Sequence, residues 1–350
     1  SNKIVDIVKK ALEDFELTPK EKSRSTNMFA LGLLYWLYER SLDSTIDFLN
    51  DAGIFIKRSS SRAYTGTTTF DDNIKIIFQR QSDICSSLSN KVADLGIMGL
   101  DRYKENINNN FSKIVIEKMG YGNCDLVIAI PQSWDNINNI SQLKEFSHST
   151  NIKIATKYPV QTNDFFSTNG LENYEIISTN GAVEVAPQTG LADIIVDISS
   201  TGTTIRENDL KILDDGYLLF SQATMISNSE LLSKSEDKLK SAKRLLYFIL
   251  GHMNSKLYNT IIFNIESENE NQLFKMLNQH SSIRGIIGPT IAKVYSSDER
   301  NWFSVTIVVS NEKLGEAIEI LDKLKAEGVT IVQNKLVFDG TADIEKLLIG

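Results

Sequence analysis

Apolar and polar positions recur with two periods along the chain, and the switch between them marks its elements. Residues 3–14 set Ile4, Val5, Ile7, Val8, Ala11 and Leu12 at helical spacing, and Thr18-Pro19-Lys20-Glu21 reads as the cap and first turn of a helix carrying Met28 to Tyr38. Thr45 to Gly53 predicts an amphipathic helix stopped by glycine, Ile74 to Phe78 a strand, and Gln79 to Ile84 a helix start with Ser82 or Asp83 near its cap. Val92 to Asp101 predicts a strand entering a glycine turn with an acid at its mouth, and Met119 to Pro131 a Gly-rich turn and strand. A second α/β unit starts at Asn151 to Tyr158, with Phe165 and Phe166 on its helix and Tyr174 to Ile177 as its next strand. Gly216 to Ser227 reads as a strand returning to the first unit, and Glu230 to Met253 as a helix leaving the body. Strand, helix, strand, strand, helix and strand come next at Leu257–Ile265, Asn269–Asn278, Thr290–Tyr295, Trp302–Val309, Glu312–Glu327 and Val329–Phe338, the ferredoxin-like order.

The chemistry concentrates at one strand end. Ile194, Ile195, Val196 and Ile198 form an interior strand that stops at Ser199-Ser200-Thr201-Gly202-Thr203-Thr204, with helix-compatible Arg206-Glu207-Asn208 behind it. Gly202 lets the main chain approach an anion, the hydroxyls of Ser200, Thr201, Thr203 and Thr204 add donors, and a following helix would contribute its positive end. The pattern describes a phosphate cradle without the lysine of a Walker loop; the alternative is an ordinary Ser/Thr turn. Asp193 and Asp197 suit sugar hydroxyls or a magnesium ion. Phosphate, polyol and metal together suggest phosphoribosyl pyrophosphate as ligand.

Composition narrows the class. A chain of 350 residues accommodates two or three domains, and a net charge of −8 argues against non-specific nucleic-acid binding. Cys85 and Cys124 stand far apart without metal-ligand spacing, which fits a reducing cytoplasm. The apolar run Met28 to Tyr38 is too short to span a bilayer, and no leader opens the chain, so no membrane association is expected. His148, His252 and His280 lie in polar contexts and read as surface residues. The basic stretch Lys57-Arg58-Ser59-Ser60-Ser61-Arg62 reads equally as a solvated loop or as cations for a polyphosphate.

Ser178-Thr179-Asn180-Gly181-Ala182-Val183-Glu184-Val185-Ala186-Pro187, with Gly190-Leu191-Ala192-Asp193 and the hydroxyl-rich loop, resembles the signature region of ATP phosphoribosyltransferase, continuously from Ile154 to Leu210. The resemblance implies a bilobed α/β body of the type II periplasmic-binding-protein kind, hinged near Pro131. Lobe I would take residues 44–130 and 216–253 and lobe II residues 131–215, behind a helical extension over 1–43 and ahead of a ferredoxin-like (ACT-like) regulatory domain over 257–340. It implies condensation of ATP with phosphoribosyl pyrophosphate in the presence of Mg2+, with histidine as inhibitor and a homo-oligomer, dimer or hexamer, as the working form. Asp197 and Glu184 would face the ribose and the metal; Asp193, Ser200, Thr201, Gly202, Thr203 and Thr204 would bind phosphoribosyl pyrophosphate. Arg80 and Asp101 fall to ATP, and Asn264 and Thr290, by the turn Gly288-Pro289-Thr290-Ile291-Ala292, to the effector. Asn27 to Leu37 resembles instead a fragment of 2-oxoacid:ferredoxin oxidoreductase, with no cofactor ligands in it. The family's opening strand and Lys-Gly-Arg loop have no counterpart ahead of Thr45, so a non-catalytic ligand-binding or regulatory relative stands as the second reading. An extracellular solute receptor of the same fold is the third, disfavoured by the missing leader.

Overall fold

The computed structural model describes residues 42–60, 63–179, 181–297, 300–338, 340 and 342–350. The helices expected between residues 3 and 40 lie outside the described residues, as do Ser61, Arg62 and Asn180. Two compact units divide between Asp47 and Phe48, and the second, residues 48–350, holds every element after the first described helix.

That helix, α1 (Leu42–Asp51), is followed by an antiparallel ribbon of β1 (Ile56–Arg58), β2 (Thr65–Thr68) and β3 (Lys75–Ile77), then α2 (Gln81–Ser89), β4 (Leu95–Gly99), α3 (Leu100–Asn106) and β5 (Ser112–Ile116). Gly53, at φ 83°, supplies the left-handed residue that stops α1. The second lobe runs through β6 (Cys124–Pro131), α4 (Ile140–Ser147), β7 (Ile152–Thr156), α5 (Pro159–Asn169), β8 (Tyr174–Ser178), β9 (Ile194–Ser199), α6 (Thr203–Glu207) and β10 (Leu210–Ser221). Strand β11 (Ala223–Asn228) returns to the first lobe and sits between β4 and β5, antiparallel to both. Helices α7 (Ser229–Ser233) and α8 (Glu236–Ser255) come next. The sequence read these as one helix, but the Ser235 side chain accepts from the Lys238 N–H and starts α8 afresh.

The second lobe's sheet has the order β10-β6-β9-β7-β8, with β7, β8 and β9 parallel and β6 and β10 antiparallel to their neighbours. Strand β9 lacks alternation because both its faces are covered. Ile194 and Val196 pack with Leu126, Ile128, Ile152 and Ile154 on one side, and Ile195 with Val127, Ala155, Val183 and Ile205 on the other.

The lobes join elsewhere than expected. All of β6 and all of β10 belong to the second lobe's sheet, so the crossings fall at residues 117–123 and at Gln222. The Met119 N–H donates to the Ala223 carbonyl at 3.0 Å and the Ala223 N–H to the Tyr121 carbonyl at 2.9 Å, tying the two crossings together. Pro131 is instead the distal end of β6, paired with Leu210. Residues 124–130 and 216–221 therefore move from the expected first lobe to the second, and the returning strand begins at Ala223.

The C-terminal module has β12 (Tyr258–Glu266), α9 (Glu270–Asn278), β13 (Thr290–Val294), β14 (Trp302–Ser310), α10 (Asn311–Lys323) and β15 (Glu327–Gln333), in the antiparallel order β13-β14-β12-β15. This is the expected ferredoxin-like arrangement. Ile261, Phe263, Val305 and Ile307 meet Leu273, Leu277, Ala317 and Leu321 on its helical face, and the other face of the sheet carries no helix of the module. One element was not foreseen. Helix α11 (Ile344–Ile349) leaves this module and buries Leu348 among Phe48, Val115, Met225 and Leu246 of the first lobe.

Candidate functional site

Strand β9 delivers its polar residues to the carboxyl edge of the sheet, where open α/β folds bind ligands. Gly202 takes φ 71°, which turns the chain sharply back into α6. The Ser199 hydroxyl accepts from the Gly202 N–H at 3.0 Å and thereby shapes the turn, while the hydroxyls of Thr201 and Thr203 meet at 2.9 Å. Ser200, Thr201, Thr203 and Thr204 are all exposed. Among the described residues, the N–H groups of Ser200, Thr201 and Thr204 have no acceptor. The loop is thus open and rich in donors. Helix α6 is a single turn, so individual N–H and O–H groups, rather than a macrodipole, make the cradle. Arg206, read in the sequence only as a helix former, adds the charge: its Nη2 donates to the Thr201 carbonyl at 3.1 Å and approaches Thr203 Oγ1 at 3.4 Å.

Asp197 lies directly behind the loop, 6% exposed. Burial raises its pKa to about 6; Lys157, the Ile198 N–H and Arg102 oppose that rise, and Glu184 adds to it. The Ile198 N–H donates to Asp197 Oδ1 at 2.9 Å. Glu184, half-buried, stands on a turn anchored by buried Val183 and Ala186. Glu184 is thus close enough for its charge to act on Asp197 at this edge of the sheet.

Two expected ligands are placed otherwise. Asp193 precedes β9, at the opposite end of the strand, and its Oδ2 accepts from the Lys153 N–H at 2.8 Å. Six residues of extended chain put it about 20 Å from Ser199. Its role is to fix the register of β7 against β9. Asp101 is 1% exposed, and its oxygens accept from Tyr158 Oη at 2.8 Å and Ser221 Oγ at 2.6 Å. It holds α3 of the first lobe against the second rather than facing ATP. Glu105 continues this seam, accepting from the Val160 and Gln161 N–H groups at 2.8 and 3.1 Å and so capping α5 from across the cleft. Arg80, by contrast, is exposed at the N-cap of α2, and its neighbour Gln81 accepts from the Gly99 N–H at 3.0 Å, next to the mouth of β4.

Asn264 and Thr290 lie on the open face of the C-terminal sheet, where Asn264 pairs with Ser304 and Thr290 with Thr306. Two strand spacings and two residues separate them by about 12 Å. His252 departs from its expected surface position: it is buried edge-on to Phe48 at 5.0 Å, and burial lowers its pKa. No helix among the described residues is long and apolar enough to cross a membrane.

The family model of ATP phosphoribosyltransferase matches residues 80–247, and that of the "HisG, C-terminal domain" matches residues 256–334. ATP phosphoribosyltransferase 1, chloroplastic, of Arabidopsis thaliana is 28% identical over 310 residues, 86% of this chain and 75% of that one. ATP phosphoribosyltransferase of Bradyrhizobium sp. (strain ORS 278) is 32% identical over 251 residues, 69% of this chain and 77% of its own length. The solved ATP phosphoribosyl transferase (HisG:HisZ) complex from Thermotoga maritima contains a chain 27% identical, with a TM-score of 0.45, covering 61% of this chain and 96% of that one. The first match covers the bilobed body from Arg80 onward and the second the C-terminal module, and together with the relatives this disfavours the non-catalytic reading. The chain belongs to the ATP phosphoribosyltransferase family, pentosyltransferases that join ATP to phosphoribosyl pyrophosphate, with release of pyrophosphate, at the first step of histidine biosynthesis.

Proposed function

We propose that the loop Ser200–Thr204 holds the 5′-phosphate of phosphoribosyl pyrophosphate while Asp197 and Glu184 face its ribose. The observation that carries this reading is the open turn with partnerless N–H groups and a buried carboxylate immediately behind it. Adenine N1 of ATP already carries its lone pair, so the reaction asks for no strong base. Negative charge grows on the departing pyrophosphate and positive charge on the ribose ring, where ionised Asp197 is stabilising. Arg80, exposed at the mouth of the first lobe, is the cation we assign to the ATP phosphates.

Asp197 and Glu184 also suit Mg2+, a hard ion that takes one or two carboxylates and fills its shell with substrate phosphates and water. No group of three or more such ligands stands among the described residues, a donor set that fits an ion arriving with its substrate. When bound, Mg2+ would neutralise phosphate charge. Histidine would act on the open face of the C-terminal sheet around Asn264 and Thr290, inhibiting a homo-oligomer that works in the cytoplasm, where buried Cys85 and Cys124 would stay reduced.

The test is calorimetric titration of the full chain with phosphoribosyl pyrophosphate, alongside Thr201→Ala, with phosphoribosyl-ATP formation measured in the same preparations. The reading requires Thr201→Ala to weaken phosphoribosyl pyrophosphate far more than ATP. Equal losses for the two substrates would overturn it.

A further inference from the structure

Two cations, one from each lobe, flank Asp197. Lys157 is the first residue after β7, whose last residue, Thr156, pairs with Val196 of parallel β9, the residue before Asp197, and its charge acts on the Asp197 carboxylate. Thr156 Oγ1 accepts from the Tyr158 N–H at 2.9 Å and fixes the turn that presents the lysine. Lys157 is half-buried and makes no hydrogen bond or ion pair among the described residues.

Arg102 reaches the same place from the first lobe. Its guanidinium lies over the Tyr158 ring, 4.4 Å from the centroid, and a stacked guanidinium keeps its in-plane N–H groups available. Its nearest carboxylate, Asp101, is 3.9 Å away and already accepts from Tyr158 and Ser221. Both charges favour the ionised form of the Asp197 carboxyl. The phosphate loop leaves β9 and runs on through α6 to β10, whereas Lys157 follows β7, and in the sheet order β10 and β7 lie on opposite sides of β9.

Phosphoribosyl pyrophosphate has the matching layout, one phosphate at the 5′ end of its ribose and a pyrophosphate at C1. We propose that Lys157 and Arg102 clamp the pyrophosphate leaving group from the two lobes, a proposal that rests on the loop Ser200–Thr204 taking the 5′-phosphate. In the reaction the N1 lone pair forms the bond to C1, the C1–O bond breaks with its electron pair passing to the pyrophosphate oxygen, and no proton changes hands. The leaving oxygen gains charge as the bond breaks, so cations there act more strongly on the transition state than on the bound substrate.

Lys157→Met and Arg102→Met in the full chain, each keeping an apolar stem, test the clamp against two probes: inorganic pyrophosphate as product inhibitor and ribose 5-phosphate, which has the loop-bound phosphate alone. A charge-assisted contact to phosphate predicts that each variant weakens pyrophosphate by about 10- to 100-fold. Ribose 5-phosphate should stay within about twofold, and Lys157→Arg should recover most of the loss. Unchanged pyrophosphate inhibition would overturn the clamp. So would equal weakening of both probes, which would mean that the cations only keep Asp197 ionised. Gly202→Val scores the underlying reading separately: if ribose 5-phosphate binds it normally, the loop assignment fails, whatever the two methionine variants do.

Discussion

Replacing Asp197 by asparagine removes a charge the fold holds at a cost. The carboxyl is 6% exposed, and burial raises its pKa from the ordinary 3.8 to about 6. Because the folded value exceeds the unfolded one, the folded chain binds its proton more tightly, and stability from the neutral carboxyl is present in acid and lost as pH rises through 6. The interval from 3.8 to about 6, at 1.36 kcal/mol per tenfold, makes ionised Asp197 cost about 3 kcal/mol at pH 8. The same linkage leaves about half that cost at pH 5, about a fifth at pH 4 and almost none at about pH 3. Asparagine has the same shape and never ionises, so Asp197→Asn should melt several degrees higher than the parent at pH 8, with the gap closing toward pH 4. The same variant should lose about 100-fold or more in kcat/KM, since the ionised group faces the substrate. Thermal melts of both proteins across this pH range, with assays on the same samples, decide it. A gap that does not change with pH, or a variant less stable at pH 8, would mean that the Asp197 charge does not destabilise the fold.

Other perturbations exploit the same contacts. Tyr158→Phe leaves an oxygen of buried Asp101 without its donor from the second lobe, and should cost about 1–3 kcal/mol in chemical denaturation. Gly202→Val places a side chain at φ 71° with its Cβ 2.9 Å from Arg206 Nη1; phosphoribosyl pyrophosphate affinity should fall at least about tenfold by calorimetry, with ATP affinity kept. Leu348→Ala opens a cavity in the first lobe although Leu348 follows the C-terminal module, and should destabilise the protein by about 2–5 kcal/mol. Asn264→Ala should relieve inhibition by histidine without changing the uninhibited rate; unaltered inhibition would remove that face as the effector site.

Much of the fold was legible because its signals are local. The apolar run Ile194–Val196 of β9 reports a strand covered on both faces, and the hydroxyl cluster after it reports an open turn. The ferredoxin-like order could be read from periodicity because each of its helices buries one stripe. The site was legible only in part. Asp193, just ahead of β9, and Asp197, within it, are four residues apart, which looks like a pair in the sequence but places them far apart along extended chain. Asp101 follows a strand and a glycine, as a ligand would, and only its partners Tyr158 and Ser221, distant in sequence, reveal a seam residue. Arg102, Lys157 and Arg206 carry no motif; each acquires meaning from what it faces. Helix α11 had its signal in the Asp343 cap, whose side chain accepts from the Lys346 N–H, but its destination on the first lobe is a tertiary fact.

A crystal structure with phosphoribosyl pyrophosphate bound decides whether the Ser200–Thr204 turn is the phosphate site. The 5′-phosphate should lie within hydrogen-bond distance of the N–H groups of the Ser200–Thr204 turn, with the ribose hydroxyls toward Asp197. A sugar phosphate seated elsewhere, with that turn bare, would contradict that assignment.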